Sequence, residues 1–337
     1  MHTPFVEYQK GRTLEVVPVG RAGIDLNTQT LNVPFKDNRL YAKTVGGSPA
    51  NIAQGAARLG VRTGFIGKVS GNGMGDYIKE VFEQTGVDTG HLLFDQTGAP
   101  NCLAITEILA PDNSGSYMYR NGTADTLLTA EEIREDYIAD AAAVVVSGTA
   151  MSIEPTRTAM RRVVELAKRH QTLVIADVDF RPYGWKSPEE TAQVYTEILS
   201  QCDIIIGNRE EFNAVEYLSM PDNRDNEVSA RNFLAQGAKL VIVKDGSRGS
   251  VGYLPDQEPV HCPIIKVAAK KTFGSGDAYA AGLLYGLFRD MDLEQAMRFG
   301  SACAAITLTG MSCGEAMPDL AQAEQFLREH TFEEVVM

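Results

Sequence analysis

Cysteine is scarce and unpatterned in this chain of 337 residues: Cys102, Cys202, Cys262, Cys303 and Cys313 are odd in number and include no Cys-x-x-Cys pair. That spacing indicates neither a zinc site nor a disulfide framework, and reduced thiols are expected. Positive charge is also short. Lysine and arginine number 31 against 44 acidic residues, a net charge of −13, which argues against the basic face that a nucleic-acid surface requires. No segment is long and apolar enough to span a bilayer, and Met1-His2-Thr3-Pro4-Phe5 lacks the basic-then-apolar order of a secretory leader. The expected location is the cytoplasm, with neither nucleic acid nor membrane as a partner. Two nucleotide signatures are missing as well. The absence of Gly-x-x-x-x-Gly-Lys-Ser/Thr excludes a P-loop kinase, and Gly71-Asn72-Gly73-Met74-Gly75-Asp76 lacks the full Gly-x-Gly-x-x-Gly spacing of a dinucleotide loop.

What is present is an ordinary globular balance, 44% hydrophobic and 22% charged, with short β-rich runs alternating with helical patterns. Leu14 to Val19, Ala143 to Ser147, Leu173 to Val178, Asp203 to Ile206 and Leu240 to Val243 read as buried strands. Thr156 to Arg169, Pro188 to Ser200 and Val228 to Gln236 read as helices. The alternation predicts an α/β fold: a mostly parallel central sheet flanked by helices on both faces, with ligands at the carboxyl ends of the strands. Residues 28–45 and 102–122 lack helical period and read as antiparallel strands forming a small β-rich lid, inserted within one domain covering 10–330.

Chemistry concentrates in four short elements. Thr272-Phe273-Gly274-Ser275-Gly276-Asp277 opens into the apolar run Ala278 to Leu284, so backbone N–H groups of Gly274, Ser275 and Gly276 can face an anion at a helix start. Asp277 is an odd choice for holding a phosphate there, but a sensible base for a hydroxyl that attacks one. Gly46-Gly47-Ser48-Pro49-Ala50-Asn51 precedes a second helix; paired glycines admit close backbone approach, and Asn51 either meets ligand hydroxyls or sits near the helix cap. Asn208 and Glu211 follow the strand ending at Ile206 and serve either to order metal-bound water or as a helix cap. Lys244-Asp245-Gly246-Ser247-Arg248-Gly249 joins two strands, either as a phosphate-facing loop or as a plain hairpin turn.

Together and in this order, Gly46, Gly47, Asn51 and Ala53, then Asn208 and Glu211, then Thr272, Gly274, Gly276 and Asp277 resemble the motifs of the ribokinase-like (PfkB) carbohydrate kinase family. Gly67-Lys68-Val69 through Gly75 resembles a further family element, with Asn72 in place of an acid. The resemblance implies a ribokinase-like fold, ATP and Mg2+ as cofactors, and Asp277 as the base that deprotonates a sugar hydroxyl over an anion hole of Gly274, Ser275 and Gly276. It places Asp25, Gly46, Gly47 and Asn51 against substrate, Lys244, Gly246 and Gly249 along the nucleotide, and Asn208 with Glu211 near magnesium, Glu211 acting through water.

Tyr117-Met118-Tyr119-Arg120 and Asp177-Val178-Asp179-Phe180-Arg181 resemble elements of members acting on keto-sugar acids, Asp179 standing where those have Asn. Tyr119, Arg120 and Arg181 are thereby expected to meet the substrate, the two guanidinium groups suiting a carboxylate. The stretches Val19 to Leu26, Arg181 to Glu190 and Ser312 to Pro318 resemble the inositol-catabolic branch, whose sugar acid is phosphorylated on its 6-hydroxyl. Related kinases for 2-dehydro-3-deoxygluconate or fructose are the alternative, and a sugar-acid-binding regulator without activity is a third reading. Family members often pair through their lids, which implies a homodimer. Lys271 departs from the family's usual Asp; its ammonium either replaces a monovalent cation or points to solvent.

Overall fold

β1 (Leu14–Val19), β4 (Gly64–Val69), β5 (Asp88–Phe94), β8 (Ala141–Ser147), β9 (Leu173–Asp177), β10 (Ile204–Asn208) and β11 (Leu240–Lys244) are short, and all but β5 carry Val or Ile. In a computed structural model of the chain, which describes residues 5–333, they form the parallel part of a nine-stranded sheet. Its order is β13-β12-β11-β10-β9-β8-β1-β4-β5. The pairs β11–β12 and β12–β13 are antiparallel, β12 being Ser250–Tyr253 and β13 Val260–Cys262. Met1 to Pro4, within the stretch read as lacking a leader, lies outside the described residues.

Alternation along these strands explains why both faces are covered. Val17, Val19, Val144, Val146, Val241 and Val243 belong to one core cluster, completed by the helices Thr156–Arg169 and Pro188–Leu199. Val16, Val145, Ile175, Ile204, Ile206 and Ile242 belong to another, completed by the helices Ser48–Arg58, Ser275–Phe288 and Leu293–Leu308. Strand boundaries expected from sequence hold to within a residue or two, and the helix Thr156–Arg169 is as expected.

A second sheet has the order β3-β2-β6-β7, with β2 at Gly23–Thr28, β3 at Tyr41–Gly46, β6 at Leu103–Ala110 and β7 at Asn113–Tyr119. Two expectations are corrected here. The sheet begins at Gly23 rather than 28, because β2 leaves β1 through only Gly20–Ala22, and residues 29–40 are loop rather than strand. Nor is the sheet wholly antiparallel, since β2 runs parallel to β6. This arrangement sets Asp25 on the small sheet close to the carboxyl end of β1.

Candidate active site

The loop ending at Gly274 turns into the helix Ser275–Phe288 with Gly274 at φ 83. A Cβ at Gly274 would stand 2.7 Å from Cys313 Sγ and 3.0 Å from its Cβ, so both conformation and space demand glycine. No side chain caps this helix, leaving its first N–H groups to whatever enters the cleft. Asp277 sits in the first turn, where Asn51 Nδ2 donates to its Oδ2 at 2.7 Å. Asn51 is therefore not a helix cap. The cap of Ser48–Arg58 is Gly47, at φ 109 and without a side-chain bond, while Asn51 Oδ1 is buried without a partner. Gly46 has a different reason to be glycine: a Cβ there would fall 2.0 Å from Asp25 Oδ2.

Acids crowd around this contact. Asp177, at the end of β9, accepts from Ser48 Oγ at 2.7 Å and lies 3.6 Å from Lys244 Nζ. Asp179 has φ 35, accepts from Ser147 and Thr149 hydroxyls, and pairs with Arg181 Nη2 at 2.9 Å. Burial first, then the charges of Asp177 and Asp179, push the Asp277 carboxyl up to about 7, against the opposing hydrogen bonds of Asn51 and Ser48. Burial likewise lifts Asp25 to about 6, with Arg21 pulling the other way. Burial also raises Asp177 and Glu211, opposed in both by Lys244. Lys244 itself is raised, because the facing carboxylates outweigh the effect of its own burial.

Two cavities meet at this point. One, of about 510 Å³, is polar and takes in Asp25, Gly47, Asn51, Arg181, Asn208 and Glu211 along with Gly274 to Asp277. The other, of about 570 Å³, runs past Gly246 and Gly249 along the apolar wall of Ile264, Val267, Ala304, Ala305 and Leu308. They share Lys244, Gly246, Thr272, Ser275 and Gly276. A flat base against the apolar wall would bring its phosphates to the helix start, with a polyol on the far side beside Asp277.

The expected residues are thus largely gathered, but not all of them. Tyr119 is 60% exposed at the end of β7 and lines neither cavity. Arg120 is also absent from both linings: its Nε pairs with Asp125 at 2.7 Å and its Nη1 donates to Thr149 O at 2.9 Å. Asp125 and the Thr149 carbonyl thus hold two of its nitrogens away from the cavities, while Nη2 is buried without a partner among the described residues. Arg21, Ser48 and Asp177 line the polar cavity and were not picked out as site residues from sequence. The signal for Arg21 was a lone cation among the small residues Gly20, Ala22 and Gly23 between two strands.

Asn208 and Glu211 form a reciprocal capping box: Glu211 N donates to Asn208 Oδ1 at 2.9 Å and Asn208 N to Glu211 Oε2 at 2.7 Å. The box uses Glu211 Oε2, and both residues line the polar cavity. No cluster of three or more His, Cys, Asp or Glu side chains suited to a metal occurs among the described residues.

Residues 13–320 match the family model described as pfkB family carbohydrate kinase. The chain belongs to the PfkB carbohydrate kinase family. This PfkB kinase is 43% identical over 326 residues to the 5-dehydro-2-deoxygluconokinase of Geobacillus kaustophilus, covering 97% of each chain. It is 41% identical over 325 residues to that of Clostridium botulinum, covering 96% of each. Among solved structures, a putative ribokinase II from E. coli in complex with ATP and Mg2+ superposes with TM-score 0.85 at 22% identity, over 94% of this kinase and all of that chain. A fructokinase with bound ATP from Xylella fastidiosa gives 0.82 at 23%, over 93% and 98%. The fold of the kinase is accordingly ribokinase-like.

Proposed function

We propose that this kinase transfers the γ-phosphoryl group of ATP to the 6-hydroxyl of 5-dehydro-2-deoxy-D-gluconate. One observation carries the chemistry: a carboxyl with pKa about 7, Asp277, held by Asn51 in the first turn of an uncapped helix where a polar and an apolar cavity join. A base with a pKa near the working pH is well matched to taking a hydroxyl proton. As Asp277 accepts that proton, the alcohol oxygen bonds to phosphorus, the bridging P–O bond breaks and ADP leaves. The N–H groups of Ser275 and Gly276 and the Lys244 ammonium face the charge that develops. Magnesium, bound with ATP, neutralises phosphate charge; Asn208 and Glu211 are the residues that would hold it through water. The small sheet acts as the lid that excludes water. The named relatives support the choice of sugar acid.

Lys271 is fully buried, and its Nζ donates to Phe273 O at 2.6 Å. In this reading its ammonium supplies a positive charge beside the anion-hole loop, in place of a bound monovalent cation; burial pulls its pKa below the ordinary lysine value, with Cys313 and Asp277 opposing. Phe35, Leu40, Tyr117 and Tyr119 are exposed on the small sheet and its loop, which favours a homodimer formed through the lids; a single monomeric species by sedimentation would refute it. No helix among the described residues is long and apolar enough to cross a membrane, and we place the kinase in the cytoplasm. An ADP-release assay over keto-deoxy sugar acids, fructose and ribose tests the main reading. The expected preferred substrate is 5-dehydro-2-deoxy-D-gluconate, and preference for a neutral sugar would overturn it.

A further inference from the structure

Three cationic side chains line the polar cavity, Arg21, Arg181 and Lys244, and they differ in what already occupies them. Lys244 lies 3.6 Å from Asp177, and Arg181 2.9 Å from Asp179. Arg21 is different. Among the described residues its Nη1 reaches only sulfur, Cys102 Sγ at 3.5 Å and Met118 Sδ at 3.8 Å, and its Nε is buried with no acceptor. Thiol and thioether sulfur are weak acceptors. The residue is 8% exposed, and a guanidinium with unmet donors in such a place is costly until an anion arrives.

The rest of the cavity sharpens the choice. Asp25, Asp177, Asp179, Glu211 and Asp277 all line it, so an incoming carboxylate meets repulsion nearly everywhere. Asp25 is felt by Arg21 as a nearby charge, but among the described residues no carboxylate forms an ion pair with that guanidinium. Arg21 also stands where the two sheets join, between β1 and β2, with Cys102 just before β6 and Met118 on β7. A ligand bound to it touches the small sheet while its far end extends toward Asp277.

We infer that Arg21 is the receptor for the substrate carboxylate, the role that sequence had assigned to Arg120 and Arg181, and that it sets the preference for sugar acids over neutral sugars. This rests on the reading of the protein as a sugar-acid kinase. The orientation that follows is simple: the acid end lies at the sheet junction and the primary hydroxyl at Asp277.

The test is Arg21→Met, which keeps a flexible apolar stem against Cys102 and Met118, beside Arg21→Lys, Arg181→Met and wild type. Each is assayed with the sugar acid and with its carboxamide. A lost charge-assisted hydrogen-bond pair predicts a fall in kcat/KM for the acid exceeding that for the amide by roughly 10- to 100-fold. The loss should lie mainly in KM, with Arg21→Lys intermediate and thermal unfolding monitored for each variant. Equal losses on acid and amide, or an acid-selective loss in Arg181→Met instead, would overturn the assignment. If wild type does not phosphorylate the acid, the functional reading fails first and the assignment falls with it.

Discussion

Replacing Asp277 with asparagine keeps the shape of the side chain and removes its charge and basicity. Asn51 can still donate to the amide oxygen at position 277, so the 2.7 Å contact survives in kind. Turnover should fall by about 10²- to 10⁴-fold, the usual worth of a positioned general base, while nucleotide affinity stays near wild type. Stability should move the other way. The carboxyl titrates at about 7 when folded against an ordinary 3.8, so the folded state holds the proton more tightly than the unfolded chain. Below pH 3.8 both states are protonated and the group costs nothing. As pH rises from about 4 to 7 the unfolded state ionises first, and stability is lost until both are ionised. The gap corresponds to a ceiling of about 4 kcal/mol above pH 7. Asp277→Asn should therefore unfold at a higher temperature than wild type at pH 8, with the advantage shrinking steadily toward pH 5. The assays are ADP release and thermal unfolding over pH 5 to 8. Turnover within a few-fold of wild type, or a variant less stable at pH 8, would refute the reasoning.

Three further outcomes follow from the same geometry. Gly46→Ala places a Cβ 2.0 to 2.3 Å from the Asp25 carboxyl atoms; displacing that side chain should raise KM for the sugar by roughly 10- to 100-fold, with ATP affinity little changed, as steady-state kinetics would show. Arg120→Ala leaves Asp125, 1% exposed at its side chain, without its cation. The variant should lose about 3 kcal/mol in denaturant unfolding while keeping the preference for acids over neutral sugars. Because the Lys271 ammonium is buried beside the loop, rates in sodium, potassium and bulky organic-cation buffers should agree, and strong potassium activation would remove the idea.

The expected residues that the fold does bring to the two cavities are those whose neighbours are local. Gly274 to Asp277, Asn208 with Glu211, and Gly246 with Gly249 sit at strand ends or helix starts, where spacing along the chain nearly dictates spacing in space. Asp277 needed more: its basicity comes first from burial and then from Asp177 and Asp179, about a hundred positions earlier, brought there by sheet order. Arg120 lies off both cavity linings for a short-range reason, the acid at Asp125 together with the Thr149 carbonyl. Arg21 was hidden because its significance lies in a missing counter-ion, and pattern alone does not register that.

The cavities on either side of the Ser275–Phe288 helix start share only a narrow seam of residues, with the small sheet bordering one and the helix Leu293–Leu308 the other. Under the proposed function, acceptor and donor recognition are thus written on different parts of the molecule. Changes confined to β6 and β7 can retune which sugar is accepted while the donor site is left alone. A lineage built this way can diversify its acceptors by reshaping one sheet, and a designer can exchange that sheet between relatives without rebuilding the site for ATP.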